Sequence, residues 1–129
     1  MRWLLLLGGL VAVVLVCVRT RYLVIVVDGI SMEPTVRPGQ RLVVRRAGLA
    51  TIRRGSLVVV GLGGLMVKRA VALPGDPVPP GIPVDDPVVP AGRLVVLGDN
   101  AAHSFDSRRA GYVLAADVVG VVIDRRASA

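Results

Sequence analysis

A single lysine stands out among the residues of this chain that could do acid–base chemistry. Lysine and arginine together number 16, and Lys68 is the only lysine among them. A guanidinium keeps its proton in proteins, whereas a desolvated lysine amine can lose its proton and act as a base. The count therefore raises the question of a chemical role at Lys68 that arginine could not fill, and chance codon use is the alternative.

A serine with nucleophilic potential lies where the first predicted strand ends. Within the polar segment 28–35, Ser31 stands two positions after Gly29. A serine close behind a glycine at a strand end can sit exposed beside free backbone amides, which are what an oxyanion needs. The alternative is an ordinary serine turn leading into Pro34.

The strand predicted over 65–73 carries the lysine. Period-two alternation places Met66, Lys68 and Ala70 on one face and Arg69 on the other. Burial among apolar neighbours lowers a lysine pKa, and a neutral amine near a serine hydroxyl is a competent general base. The alternative is a solvated lysine that stays protonated at neutral pH.

A third polar segment, 98–108, directly follows another predicted strand and begins as a tight turn. It contains four side chains that could form a hydrogen-bonded cluster: Ser104, Asp106, Ser107 and Arg108. An ion pair between Asp106 and Arg108 would stiffen that cluster. The alternative is a polar surface loop.

The composition limits the classes of protein to which the chain can belong. Its 129 residues, 53% hydrophobic and 19% charged, suffice for one compact domain and exclude a disordered chain. The net charge of +7 suggests nucleic acid or anionic lipid as a partner, but four aromatic residues are too few for a base-stacking surface. One cysteine and one histidine exclude a disulfide framework and the usual zinc sites. We predict no nucleic-acid partner and no metal.

The first residues predict a membrane anchor over 1–21. Residues 3–18 are apolar or glycine without interruption, between Arg2 on one side and Arg19 and Arg21 on the other. As a helix this run spans about 24 Å, against about 30 Å of bilayer hydrocarbon. The residues around Cys17 form neither a signal-peptide cleavage site nor a lipoprotein site, which favours an uncleaved anchor. Charge alone slightly favours a cytoplasmic domain.

Residues 22–129 are predicted to form one compact, mostly β domain. Short runs rich in valine and leucine, separated by turn signals, predict strands and no long helix. The strands are predicted at 22–28, 40–46, 56–61, 65–73, 93–97 and 118–124. Residues 76–92 hold six of the nine prolines and are predicted to be a surface excursion between two strands.

Three motifs follow one another in this chain. Ser-Met-x-Pro-Thr occupies 31–35, Lys-Arg followed by an apolar stretch and Gly-Asp occupies 68–76, and Gly-Asp-Asn through Ser-x-Asp-Ser-Arg occupies 98–108. In order and spacing they resemble the type I signal peptidase family of serine/lysine membrane proteases, over nearly the whole chain. The resemblance implies a signal-peptidase-type β domain behind one transmembrane helix, in the minimal form of Gram-positive members.

The resemblance implies that Ser31 is the nucleophile and Lys68 the general base, with the Ser31 amide as one oxyanion donor. Some members carry a serine two residues before the nucleophile as a second donor. That position is Gly29 here, so the second donor is unassigned. The family's Gly-Asp before the third predicted strand is Gly55-Ser56 here, which we interpret as a structural difference.

The resemblance also implies supporting roles in the segment 98–108. Ser104 is similar to the family's serine that hydrogen-bonds the lysine and orients it. Asp106 and Arg108 resemble its supporting ion pair, and Asp99 and Asn100 resemble the residues that shape the turn.

The implied activity is removal of signal or leader peptides from exported preproteins, without metal or organic cofactor. The implied location is the cell membrane, with a cytoplasmic amino terminus and an extracytoplasmic catalytic domain, against the slight charge preference. The large inserted cap of bigger relatives is absent, because Asp76 and Gly98 lie only 22 positions apart.

Three other functions remain open from the sequence. One is a specialised maturation protease with a single substrate, and another is a non-catalytic, membrane-anchored binding domain. The binding domain would keep Ser31 and Lys68 out of hydrogen-bond reach of each other. The third is a Ser-His-Asp hydrolase that uses His103.

Overall fold

The computed structural model describes residues 1–126, in which one long helix is followed by a β domain. Helix α1 spans Arg2–Arg21, and the short helix α2 spans Ser107–Ala110. The strands are β1 Tyr22–Val26, β2 Arg41–Arg46, β3 Leu57–Gly61, β4 Leu65–Ala72, β5 Arg93–Leu97, β6 Val113–Leu114 and β7 Val118–Arg126. Short 3₁₀ turns lie at Leu49–Thr51, Ala101–His103 and Ala115–Asp117.

Helix α1 has the length and composition of a membrane-spanning helix. Its 20 residues have a mean hydropathy of 2.3 over the most apolar window, and none of that window is buried against the protein. The apolar side chains face outward all round the helix, so lipid is the environment that would cover them. The helix ends at Arg21, and β1 begins at Tyr22 without a linker.

The strands form one antiparallel, curled sheet in the order β1-β2-β7-β3-β4-β5-β6. Irregular pairing interrupts the ladder at Val43/Val44, Val59/Val60 and Ala70/Ala72. Such bulges increase the local twist of a sheet and bend it. The last irregularity lies two residues beyond Lys68 on β4, so the sheet bends close to the lysine.

The apolar run of β3 is buried on both faces of the sheet. Val58 and Val60 pack into one core cluster, whereas Leu57 and Val59 pack into another. Burial of each such side chain contributes about 1.5–3 kcal/mol. Because both faces of β3 are buried, its sequence is apolar at successive positions and does not alternate between apolar and polar residues.

The mostly β fold predicted from the sequence is confirmed, and each predicted strand agrees with the structure within two residues at either end. Strand β6 was missed because two residues carry no usable periodicity. The prediction for 76–92 was incomplete, because Ile82 and Val89 of this excursion are buried against Ala72 and Val95. The excursion therefore covers one end of the sheet.

Candidate active site

Lys68 is buried in the middle of β4. It is 2% exposed, while Met66 and Ala70 on the same face pack into the core cluster around Val58. Its Nζ donates a hydrogen bond of 3.1 Å to Oγ of Ser104. Burial lowers the pKa of Lys68 below its ordinary value, and the charge of Arg108 lowers it further, while the charge of Asp106 opposes both effects. The site therefore stabilises the neutral amine more than water does.

Ser104 connects the lysine to a buried carboxylate. Its hydroxyl donates to Oδ2 of Asp106 over 2.7 Å. Asp106 is fully buried and also accepts from the Gly98 amide at 2.8 Å and from Nε and Nη2 of Arg108 at 3.0 and 2.5 Å. It caps α2 as well, by accepting the Arg108 amide at 3.1 Å.

The hydrogen bonds to Asp106 determine its charge. Burial alone would raise the pKa of this carboxyl, but donors from Arg108, the Gly98 amide and Ser104 outweigh burial and hold the pKa well below its usual range. The pKa of Arg108 is raised by its hydrogen bond to Asp106. The pair is thus ionised, and its two charges act in opposite directions on the pKa of Lys68.

Gly98 allows the segment that carries Ser104 to approach the segment that carries Ser31. A Cβ atom at Gly98 would collide with the Ser104 side chain and would lie 2.8 Å from the carbonyl oxygen of Ser31. Such contacts are far shorter than van der Waals distance, so that only glycine fits here. The glycine of the third motif is therefore needed for close packing of these two segments.

Ser31 lies in the turn after β1, and Asn100 and Met32 hold this turn in place. The Asn100 amide donates to the Ser31 carbonyl at 2.8 Å, and the Asn100 side chain donates to the Ile30 carbonyl at 3.0 Å. Met32 is 2% exposed and packs into the second core cluster. Gly29, two residues before Ser31, has φ of +92°, a conformation that a serine rarely adopts.

Ser31 and Lys68 line one cleft of about 460 Å³, together with Gly29, His103 and Phe105. Among residues 1–126, no hydrogen bond joins Ser31 Oγ to Lys68 Nζ, which is also what the non-catalytic binding domain predicts. The side-chain partner of the lysine is Ser104. Within residues 1–126, the His103 side chain forms no hydrogen bond with a carboxylate. The His–Asp pair of a Ser-His-Asp hydrolase is therefore not assembled in the structure.

An ion pair on the other face of β4 was missed by the sequence analysis. Arg69 donates from Nε and Nη2 to Asp99, at 2.9 and 2.7 Å, and Thr35 Oγ1 donates to Asp99 at 2.5 Å. The hydrogen bond from Arg69 lowers the pKa of Asp99, and that from Thr35 lowers it further, against the opposing effect of burial. All three residues belong to the motifs, but a sequence does not show which side chains meet across the sheet.

The described residues 1–126 contain no group of three or more histidine, cysteine, aspartate or glutamate side chains that could hold a metal ion. The chemistry that these side chains themselves offer is proton transfer between a buried amine and hydroxyl groups.

Comparison with known protein families identifies a peptidase. A family model described as signal peptidase, peptidase S26, matches residues 1–80 and 82–125. Because these ranges span most of the chain, the protein belongs to the signal peptidase family, as the motifs predicted.

Named relatives agree with the family match. Signal peptidase I V of Bacillus subtilis (strain 168) is 28% identical over 160 aligned positions, covering 92% of this chain and 95% of the relative. Signal peptidase I of Bacillus caldolyticus is 31% identical over 136 positions, 75% of each chain. Signal peptidase IB of Staphylococcus aureus (strain COL) is 28% identical over 139 positions, covering 74% of this chain and 73% of the relative.

Proposed function

We propose that this chain is a membrane-anchored serine endopeptidase that removes signal peptides from exported proteins. The names of its relatives support the substrate class. One observation carries the mechanism: the only lysine is buried, is hydrogen-bonded to Ser104, and lines the same cleft as Ser31.

Lys68 acts as the general base in its neutral form. A neutral amine has two N–H bonds and one lone pair. The hydrogen bond from Nζ to Ser104 uses one N–H and orients the amine, which leaves the lone pair to accept the proton of the Ser31 hydroxyl. Catalytic hydrogen bonds often tighten only when substrate binds. The Ser31–Lys68 contact is therefore expected to form in the complex with preprotein.

The reaction proceeds through an acyl-enzyme. Ser31 Oγ attacks the scissile carbonyl carbon as its proton passes to Lys68, and Lys68 then gives that proton to the departing amine. The C–N bond breaks, and the signal peptide remains on Ser31 as an ester. Water, deprotonated by Lys68, attacks the ester, releases the signal peptide and restores the Ser31 hydroxyl.

The Ser31 amide stabilises the oxyanion. Within residues 1–126 no backbone or side-chain acceptor takes its N–H, whereas the Ser31 carbonyl is held by Asn100. A free N–H beside the nucleophile is a preorganised donor for the charge that develops on the substrate oxygen.

The cleft offers unpaired strand edges to an extended peptide. β4 pairs with β5 only from Arg69 onward. Residues 65–68 are therefore paired with β3 on one side and, within residues 1–126, with no strand on the other. β1 is an edge strand of the sheet. Residues from both elements line the cleft, and a substrate could add main-chain hydrogen bonds there.

The length and composition of helix α1 support a membrane anchor for the site. We propose that α1 crosses the bilayer with the amino terminus in the cytoplasm and the β domain outside. Exported preproteins emerge on that side with their signal peptides still in the bilayer, so the anchor would raise the local concentration of the site around them.

The test is cleavage of signal-peptide-bearing preproteins by the full chain in detergent. Wild type is expected to cleave, whereas Ser31→Ala and Lys68→Arg are expected to fail. Lys68→Met, which keeps a buried uncharged side chain, separates loss of the base from loss of folding. A thermal unfolding transition like that of wild type shows that a variant is folded. Activity of Lys68→Arg or Lys68→Met would overturn the mechanism, and cleavage of one preprotein among many would indicate the specialised protease.

A further inference from the structure

A basic groove lies where α1 meets the sheet. Its volume is about 370 Å³, and it is lined by Arg21, Tyr22, Arg45, Arg46, Ala47 and Thr51. It is separate from the cleft that contains Ser31 and Lys68. Neither the motifs nor the proposed peptidase mechanism uses these arginines.

The sheet register brings the three arginines together. α1 ends at Arg21, and β1 continues from it at the next residue. β2 runs antiparallel to β1, with Arg45 opposite Tyr22. The carboxyl end of β2 therefore returns to the end of the helix, and Arg45 and Arg46 reach the level of Arg21.

Within residues 1–126, no ion pair neutralises the charge of the groove. No carboxylate lines it, and none of the ion pairs within residues 1–126 involves Arg21, Arg45 or Arg46. All three arginines are exposed. Three guanidinium groups that form no ion pair within the described part of the chain present a cluster of donors suited to phosphate oxygens.

The position of the groove favours a lipid over a soluble phosphate. Arg21 is the last residue of a helix long enough to cross the hydrocarbon core, so this end of the helix lies at headgroup depth. Tyr22, the next residue, is 38% exposed, and tyrosine is enriched at membrane–water interfaces. Phospholipid phosphates are concentrated at that depth.

We propose that this groove binds the headgroup phosphate of an anionic phospholipid and fixes the orientation of the β domain on the membrane. The proposal rests on α1 spanning the bilayer, which belongs to the proposed function. The phosphate accepts hydrogen bonds from Arg45 and Arg46 at the end of β2, and Arg21 completes the site from the helix.

Native mass spectrometry of the full chain, released from an uncharged detergent, tests this proposal by counting bound molecules. The chain is titrated separately with phosphatidylglycerol, phosphatidylcholine and glycerol 3-phosphate. Wild type is expected to bind one phosphatidylglycerol more tightly than the other two. The double variant Arg45→Gln/Arg46→Gln is expected to lose about 10-fold or more in that affinity, since it removes two charge-assisted hydrogen bonds to the phosphate.

The matched control is Arg37→Gln/Arg41→Gln. It removes the same charge from two exposed positions, one at the opposite end of β2 and one four residues before it, and should leave phosphatidylglycerol binding unchanged. Equal losses in the two double variants, or no loss in the groove variant, would overturn the proposal. Glycerol 3-phosphate bound as tightly as the lipid would assign the groove to a soluble phosphate and also overturn it.

The failure of this proposal can be separated from failure of the proposed function. Lipid binding does not need Ser31, so a chain that binds phosphatidylglycerol without cleaving preproteins contradicts only the peptidase mechanism. Flotation of the chain with pure phosphatidylcholine vesicles at high salt tests the anchor alone. If the chain floats while the groove variant binds phosphatidylglycerol like wild type, the groove proposal fails and the anchor stands.

Discussion

Lys68 Nζ donates to Ser104 Oγ across 3.1 Å, between a strand and a loop that are 36 residues apart in the chain. This contact determines how the amine is directed in the cleft, because a lysine side chain would otherwise sample many rotamers. Ser104 in turn donates to Asp106, so its oxygen is directed toward the lysine. The amine therefore has one N–H committed and its lone pair available.

Ser104→Ala is expected to reduce kcat by about 10–100-fold with little change in KM, because the amine loses the partner that orients it. Steady-state cleavage of a preprotein measures both constants. The control is Ser107→Ala, three residues further on at the start of α2, where the hydroxyl accepts a hydrogen bond from the Val96 amide. That variant should cost about 1 kcal/mol of stability without changing the pH profile. A normal kcat in Ser104→Ala would contradict the orienting role.

The activity is expected to rise with pH as Lys68 loses its proton, with a midpoint below the ordinary lysine pKa of 10.5 because burial disfavours the charged amine. A profile of kcat/KM against pH measures that midpoint. The free energy of unfolding should also rise with pH between the folded pKa and 10.5, since the unfolded state binds more protons there.

The variant Lys68→Met is the control for this pH dependence. Its stability should lack the rise, because no amine titrates at that position. A midpoint of activity at or above 10.5 in wild type would show that the base is not a buried lysine.

Arg108→Gln is expected to shift the midpoint of the activity profile to higher pH. Without the guanidinium, the negative charge of Asp106 acts unopposed on Lys68 and favours the ammonium form. The loss of a donor from a buried carboxylate should also cost about 2 kcal/mol of stability. Denaturant unfolding and the pH profile measure the two effects, and the exposed neighbour variant Arg109→Gln should show neither.

Gly98→Ala is expected to destabilise the domain by about 1–3 kcal/mol and to remove most activity, because the added methyl group pushes Ser104 and Ser31 apart. Gly48→Ala is the matched control, since a Cβ there meets no atom within 4 Å. Thermal unfolding and preprotein cleavage compare the two variants. Equal effects at both positions would show that general glycine replacement, and not close packing at Gly98, is responsible.

The ion pair between Arg69 and Asp99 shows the limit of inference from sequence. Period-two alternation correctly placed Arg69 on the face opposite Lys68, but its partner comes from a loop 30 residues away. Thr35 reaches the same carboxylate from a third segment, 64 residues away. Such contacts between distant segments depend on strand order and register, which a local sequence pattern does not encode.

The sequence by itself determined the long helix, six of the seven strands and the candidate chemistry. The apolar run defined α1, the valine-rich runs defined the strands, and the three motifs identified the family. These conclusions depend on local periodicity and residue type. The tertiary structure alone decided that Lys68 is buried, that Gly98 leaves room for Ser104 beside Ser31, and that Arg45 and Arg46 line one groove with Arg21. Each of these depends on the order in which strands pair, because strand pairing determines which segments that are distant in the chain lie next to one another.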